Sequence, residues 1–157
     1  MRYLVNIKLM GGPYKNYCIQ LLLTFPDTYP TNPPKILIYP DQAIDGQYHH
    51  HIFPDNSQDE NGHHYKKFCF DLLENDFMST KEEGTGWNPS YTISSLLMHV
   101  QNFLSDPDMN DHIPDKNKID QLMNSMHNYQ RSFKIENENG KEEVIIHTWN
   151  KPFPEMY

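Results

Sequence analysis

Cysteine thiols and histidine imidazoles are the groups of this chain best suited to chemistry near neutral pH. The chain contains two cysteines, Cys18 and Cys69, and nine histidines. A thiolate is a strong nucleophile, and a thioester formed on it stays reactive toward amines. Cys18 lies within an apolar run and is expected to pack as a small hydrophobic residue. Cys69 follows a long polar segment, and a lone cysteine is compatible either with burial or with a nucleophilic role.

Five of the histidines fall in two short clusters, which raises the question of a metal site. The clusters are residues 49–51 and 63–64. A zinc site needs four ligands that converge on one point. Consecutive histidines point in different directions, and no pair of cysteines has the spacing of a zinc motif. We therefore predict no metal, and the absence of a phosphate-binding loop or serine triad predicts no other cofactor.

The balance of charges narrows the class of partner. The chain has 157 residues, enough for one domain with a sizeable core, and a formal net charge of −8 at pH 7. This charge disfavours nucleic acid and leaves room for a basic protein partner. No stretch approaches the roughly 20 apolar residues of a membrane helix. With no signal peptide, we expect free thiols in the cytoplasm, the nucleus or both.

The first part of the chain has the pattern of a sheet. Three apolar runs separated by short turns predict strands at residues 3–10, 17–25 and 35–39. The short connections favour an antiparallel meander. Residues 40–67 are polar and show no periodicity, so they are predicted to form a long irregular segment of the kind that is commonly functional.

The second part of the chain is predicted to be helical. Apolar residues recur at steps of three and four between residues 92 and 104, which is typical of an amphipathic helix capped by Thr92 or Ser90. A second helix is predicted at residues 115–133. In the C-terminal extension, residues 134–157, the Asn139-Gly140 pair predicts a β-hairpin. Strands followed by helices indicate an α+β domain, with residues 1–133 as its core.

Four motifs that occur in one order give the chain a family resemblance. They are the proline-rich run Pro13-Tyr14, Phe25-Pro26, Tyr29-Pro30 and Pro33-Pro34-Lys35-Ile36, then Phe68-Cys69-Phe70-Asp71-Leu72-Leu73, then Trp87-Asn88-Pro89-Ser90-Tyr91-Thr92-Ile93, and finally Asp106-Pro107. Over residues 3–133 they resemble the catalytic core of ubiquitin-conjugating enzymes. The resemblance implies an antiparallel four-stranded meander sheet packed against C-terminal helices.

The same resemblance assigns the chemistry to Cys69. In that family a thiolate accepts the C-terminus of ubiquitin from an activating enzyme as a thioester and passes it to a lysine. The triplet His49-His50-His51 stands where the family has His-Pro-Asn, whose asparagine supports a loop or stabilises a developing oxyanion. His51 takes the place of that asparagine, and Asn56 and Asn61 are rivals if the alignment shifts.

Three further features follow from the alignment. Asp111 matches the acidic residue that many members carry after the helix, which helps to orient and deprotonate the incoming lysine. The interval of 18 residues between His51 and Cys69 (69 − 51) exceeds the family's usual one and predicts an insertion at about residues 55–66. The acidic segment 74–86 is expected to be a solvated loop, and attraction of a basic acceptor is the alternative.

Two segments match surfaces that bind partners in the family. Asn88-Pro89-Ser90 resembles one ligase-contact loop. Pro30 and Thr31 lie in the other, where many ligase-binding members carry a bulky aromatic instead of Thr31. The chain begins at the first strand, without the first helix that helps to dock the activating enzyme and ligases. We hypothesise that residues 134–157 cover the core or sheet edge that this helix would occupy.

The leading interpretation is a carrier of ubiquitin or a ubiquitin-like protein, with an activating enzyme and a ubiquitin ligase as partners. The alternative is a catalytically inactive module of the same fold that serves as a binding or scaffold subunit of a larger complex. The missing helix and His51 favour the module. The intact Cys69 favours the enzyme.

Overall fold

The computed structural model describes residues 1–40, 42–59, 61–73, 86–106, 115–127, 130–136 and 142–148. Within them lie a five-stranded sheet, a two-stranded sheet and two α-helices. The α+β class predicted from the sequence is confirmed. No helix in this part of the chain is both long enough and apolar enough to cross a membrane.

The main sheet is antiparallel and contains five strands. They are β1 (Arg2–Lys8), β2 (Cys18–Thr24), β3 (Lys35–Ile38), β4 (Ile52–Gln58) and β5 (His64–Phe68). Their spatial order is β1-β2-β3-β5-β4, with β1 and β4 at the edges. The three strands predicted from apolar runs are confirmed, each within two residues at either end. The sheet therefore has one strand more than the four predicted.

The prediction that residues 40–67 are irregular throughout is wrong, because β4 and β5 form a hairpin within them. The sequence hides β4 for a physical reason. It lies at an edge, where most of its side chains other than Ile52 and Asp55 are exposed, and it tolerates Pro54. Its register with β5 also shifts between Pro54 and Gln58, which breaks the two-residue alternation that marks a strand.

The core lies between one face of the sheet and helix α1 (Ile93–Ser105). Three residues of α1 spaced by four, Leu96, Val100 and Leu104, are at most 1% exposed. The helix begins where predicted, since the Thr92 hydroxyl accepts the Ser95 amide at 3.1 Å as an N-cap. At its other end α1 packs against the turn after β1. Gly12 adopts φ +67° there, and a Cβ would overlap the carbonyl oxygen of Ser105.

The second helix is shorter than predicted. Helix α2 spans Lys116–His127, and Leu122 is its fully buried anchor. Residues up to 133 were predicted to continue it, but β6 (Gln130–Glu136) already starts before that point. The reason is a change of pattern, because Phe133 and Ile135 alternate with polar residues as a strand requires.

The predicted C-terminal hairpin is present. Strand β6 pairs in antiparallel register with β7 (Glu142–Thr148), with Phe133 opposite Ile145. The Asn139-Gly140 turn lies outside the described residues. The proposed boundary between residues 133 and 134 falls inside β6. The separation into a core and a C-terminal extension stays a prediction. The hypothesis that the extension covers the core or the sheet edge also stays a prediction.

Candidate active site

Cys69 stands at the point where β5 ends. The preceding residue, Phe68, is 7% exposed and faces the core, whereas the Cys69 side chain is exposed. This follows from the two-residue alternation of a strand, which turns neighbouring side chains to opposite faces. A short 3₁₀ turn, Asp71–Leu73, begins two residues later and carries the chain away from the sheet. The fold thus presents a thiol to solvent on a backbone that is fixed on both sides.

The backbone of His51 holds the backbone of Cys69. The Cys69 N–H donates to the His51 carbonyl at 3.0 Å, just beyond the pair formed by Ile52 and Phe68. Ile52 is 2% exposed, so this end of the hairpin is anchored in the core. The predicted neighbourhood of His51 and Cys69 is therefore present in the structure, through main-chain atoms.

The long interval between these two residues is taken up by the length of the hairpin. Strands β4 and β5 run away from Cys69 together, so extra residues lengthen the hairpin without moving its root. Asn56 lies five positions beyond His51, or roughly 16 Å along a strand. Asn61 lies at the tip, where its N–H donates to the Asp59 carboxylate at 2.9 Å. The structure does not bring either rival asparagine to Cys69.

His49 ties the histidine triplet to helix α1. It is 1% exposed, and its Nε2 lies 3.2 Å from the carbonyl oxygen of Phe103. Because that oxygen can only accept, Nε2 carries the hydrogen, and Nδ1 is left buried without a partner among the described residues. Burial lowers the pKa of His49, since the cation would lose its hydration. His49 is a neutral core residue at neutral pH.

The triplet is a tight turn held by main-chain bonds. The His49 N–H donates to the Asp45 carbonyl at 3.0 Å, and the Ile52 N–H donates to the His49 carbonyl at 2.8 Å. The His51 ring is half-buried, with its centroid 4.1 Å from that of His50 and 5.7 Å from that of Phe103. The turn therefore fixes the carbonyl of His51, which is the acceptor for Cys69.

An aromatic cluster surrounds the root of the hairpin. Phe103 lies with its ring centroid 5.8 Å from Phe68 and 5.0 Å from Phe70, the residues on either side of Cys69. The sequence pattern identified Phe103 only as a core residue of the helix. Its position three residues before the Asp106-Pro107 motif is the one signal that links it to the site.

The second cysteine has a different environment. Cys18 is half-buried in β2, and burial raises the pKa of its thiol despite the opposing charge of Lys8. A buried thiol with a raised pKa is a poor nucleophile near pH 7. The expectation that Cys18 packs as a structural residue agrees with this geometry.

The predicted ligase-contact residues lie on two segments that touch. The indole Nε1 of Trp87 donates to the Pro30 carbonyl at 2.7 Å. The segment after Trp87 folds back on itself, because the Asn88 side-chain oxygen accepts the Ser90 N–H at 2.9 Å. Pro30, Thr31 and residues 88–90 are exposed. The hydrogen bond between Trp87 and Pro30 therefore joins two exposed segments.

Several predicted features cannot be placed. Asp111 lies outside the described residues, as do residues 74–85 of the acidic segment. Among the residues that the structure does describe, no group of three or more histidine, cysteine, aspartate or glutamate side chains is arranged to hold a metal ion. At the hairpin tip, His63 lies 3.6 Å from the Asp59 carboxylate, and His64 Nδ1 lies 2.9 Å from the Asp55 carbonyl.

Comparisons with known proteins identify relatives of this arrangement. The family model for ubiquitin-conjugating enzyme matches residues 2–136. Ubiquitin-conjugating enzyme E2 2 of Candida albicans is 27% identical over 97 residues, which cover 62% of this chain and 40% of that protein. The protein of the same name from Debaryomyces hansenii is 25% identical over 97 residues, or 62% and 43%. The matched part therefore spans about two fifths of the length of these curated relatives.

Proposed function

Because this chain belongs to the ubiquitin-conjugating enzyme family, we propose that Cys69 carries ubiquitin, or a ubiquitin-like protein, as a thioester and passes it to a substrate lysine. Two observations on Cys69 carry the proposal. Its thiol is exposed, and its backbone N–H donates to the carbonyl of His51 at 3.0 Å. A nucleophile in a group transfer must be both accessible and fixed in position, and Cys69 meets both conditions.

The first step is a transfer between two sulfur atoms. The Cys69 thiolate attacks the carbonyl carbon of the modifier's C-terminus, which the activating enzyme holds as a thioester. A new bond between carbon and sulfur forms on Cys69, and the activating enzyme leaves as its thiolate. The bond type is conserved, so the step needs only close approach of two proteins. The exposure of Cys69 suits this requirement.

The second step forms an amide. A neutral lysine amine attacks the thioester carbonyl, the Cys69 thiolate leaves, and the amine loses its extra proton. A free lysine has a pKa near 10.4, so deprotonation has to be assisted near neutral pH. We assign that assistance to Asp111, whose carboxylate would orient the amine and accept its proton. His51 supports the same step by fixing the backbone at Cys69.

The exposed surface built from Pro30, Thr31 and residues 88–90 is the site that we propose for a ubiquitin ligase. Its two segments are held together by the bond between Trp87 and Pro30, so a partner meets a preformed surface. The activating enzyme, the modifier and a larger assembly complete the proposed set of partners. We also propose a reducing compartment, the cytoplasm or the nucleus, because a nucleophilic cysteine has to stay a free thiol.

A change in the chemistry of the adduct tests the proposal. The wild-type protein and the variant Cys69→Ser, in which oxygen replaces the sulfur, are each incubated with an activating enzyme, ATP and ubiquitin. We expect the wild-type adduct to be cleaved by a thiol reductant and the Cys69→Ser adduct to resist it, because an ester exchanges with thiols far more slowly than a thioester. If no modifier forms an adduct, or if the Cys69→Ser adduct is still cleaved by thiol, the proposal is wrong.

A further inference from the structure

The two edge strands of the main sheet, β1 and β4, differ in how readily a further strand could pair with them. Strand β4 carries Pro54 and a register shift before Gln58, and both features block the addition of a strand. Strand β1 has neither feature, since all seven of its residues pair in one continuous register with β2. No other strand among the described residues pairs with the free side of β1. A regular edge of this length is a template for an extended chain.

The hydrogen bonds at both ends of β1 show which groups face outward. The Met1 carbonyl accepts the Phe25 N–H at 2.9 Å, and the Leu9 N–H donates to the Tyr17 carbonyl at 2.8 Å. The odd-numbered residues of β1 therefore face β2. The main-chain groups of the even-numbered residues, at positions 2, 4, 6 and 8, point away from the sheet. The amide of Gln101 reaches the Lys8 carbonyl from that side, at 2.7 Å.

An apolar groove lies beside this edge, on the face of the sheet that carries the core. It has a volume of about 360 Å³ and lies at the Arg2 end of the edge, where Tyr3, Phe25, Tyr29 and Ile93 are among its lining residues. Tyr3 is 47% exposed and Ile93 is 42% exposed. Every second side chain of an added strand would lie on this face, so apolar side chains there would bury apolar surface.

The opposite face of the same edge is positively charged at both ends. Arg2 and Lys8 lie on one face six residues apart, and neither forms an ion pair within the described part of the chain. An antiparallel strand would place a residue opposite each of them. Carboxylates at those two positions would complement both charges.

We propose that the free edge of β1 binds an extended segment of a partner protein in which apolar residues alternate with polar ones and acidic residues lie six apart. A second copy of this chain fits the edge less well. Antiparallel pairing of two β1 strands about Val5 would place Arg2 opposite Lys8 twice, and like charges directly opposite each other are destabilising. The site is separate from Cys69, since β1 is one strand edge of the sheet and the root of the β4–β5 hairpin lies at the other.

A designed peptide tests this proposal. The probe is a fluorescein-labelled Glu-Val-Thr-Val-Thr-Val-Glu, whose ends fall opposite Lys8 and Arg2, and the control peptide has lysine at both ends. We expect the acidic peptide to raise the fluorescence anisotropy with an affinity about tenfold above that of the control, from two cross-strand charge pairs. The amide N–H groups of Leu4 and Asn6 should become protected from hydrogen exchange.

Two variants separate the edge from other surfaces. Leu4→Pro removes an outward N–H and no bond to β2, so it should abolish binding. Arg2→Glu combined with Lys8→Glu should reverse the order of the two peptides, and this variant does not depend on whether Leu4→Pro folds. Equal binding of both peptides, or no binding by either, would overturn the proposal. A dimer seen by sedimentation that Leu4→Pro abolishes would overturn the proposed partner, because the occupant would then be a second copy.

Discussion

The N–H of Cys69 donates to the carbonyl of His51 at 3.0 Å, although Cys69 lies 18 positions after His51 in the sequence. The hairpin of β4 and β5 makes this possible, since the pair of Ile52 and Phe68 closes its root. The geometry at the thiol is therefore set by the register of the hairpin and not by its length. Four predictions concern the hairpin, the buried His49, the ion pair of Asp55 and the two cysteines.

Shortening the hairpin should leave the site intact. Replacing residues 56–64 by Asn-Gly would join Asp55 to Tyr65 through a two-residue turn and keep the register of the root. We expect the rate at which Cys69 is charged with ubiquitin to change by no more than about twofold, because the main-chain bond to His51 is retained. The measurement is single-turnover charging from a pre-loaded activating enzyme. A folded variant that no longer accepts ubiquitin would show that the tip of the hairpin takes part.

The burial of His49 should make stability depend on pH. Burial lowers the pKa of His49 below its usual 6.5, so the unfolded chain binds this proton more readily than the folded one. The stabilisation is therefore complete above pH 6.5 and is lost as the pH falls below it, with a limiting slope of about 1.4 kcal/mol per pH unit. Urea unfolding at several pH values between 7.5 and 5 measures this slope.

The matched pair of variants is His49→Asn and His63→Asn. His49→Asn should be less stable at pH 7.5 but should lose less stability on acidification. His63 is exposed at the hairpin tip, so its variant is the comparison for a histidine outside the core. Identical slopes in all three proteins would contradict the assignment of this effect to His49.

Asp55 should stabilise the hairpin through an ion pair. Burial opposes ionisation of Asp55, but hydrogen bonds from Ser57 and the ammonium of Lys35 at 3.0 Å outweigh it, and the pKa falls from 3.8 to about 2. This stability is present above pH 3.8 and is lost as the pH falls through about 2. We expect Asp55→Asn to lower the free energy of unfolding at pH 7 by about 1–3 kcal/mol.

The comparison variant for Asp55 is Asp27→Asn, which changes an exposed carboxylate in the turn after β2. Its free energy of unfolding at pH 7 should lie within about 0.5 kcal/mol of the wild-type value. The deficit of Asp55→Asn should narrow as the pH approaches 2. A deficit that stays constant down to that pH would show that the carboxylate acts through its shape and not through its charge.

The two cysteines should differ in reactivity. Cys69 is exposed, whereas Cys18 is half-buried with a raised pKa. Alkylation by iodoacetamide at pH 7 should therefore modify Cys69 faster than Cys18 by about tenfold or more. Peptide mass spectrometry over time measures both rates in one sample. Comparable rates in the folded protein, with a difference no larger than in urea, would contradict the burial of Cys18.

The periodicity of apolar residues in the sequence was sufficient to predict the buried strands and helices. Strand β2 was predicted from its apolar run, and helix α1 from the spacing of Leu96, Val100 and Leu104. Both predictions succeeded because each element buries an apolar face. Strand β4 could not be found in this way, since an edge strand with Pro54 and a register shift carries no alternation. A local sequence pattern also cannot reveal a hydrogen bond between residues that are distant in sequence. The bond between His51 and Cys69 could therefore be identified only in the structure.

The identity of the site residues came from resemblance more than from physics. The apolar run around Cys18 predicted a packing role for that residue, but only the family motif around Cys69 assigned a nucleophilic role to Cys69. Phe103 was identified as a core residue, yet its carbonyl holds His49 and its ring contacts both neighbours of Cys69. The second helix was predicted too long because the switch to β6 occurs within residues that are polar in both patterns.

The most direct test of the account is the formation of a ubiquitin thioester on Cys69. The wild-type protein, Cys69→Ala and the matched control Cys18→Ala are each incubated with an activating enzyme, ATP and ubiquitin and separated on a non-reducing gel. We predict a thiol-sensitive adduct in the wild type and in Cys18→Ala, and none in Cys69→Ala. An adduct that persists in Cys69→Ala, or no adduct with ubiquitin or any ubiquitin-like protein in the wild type, would contradict the account.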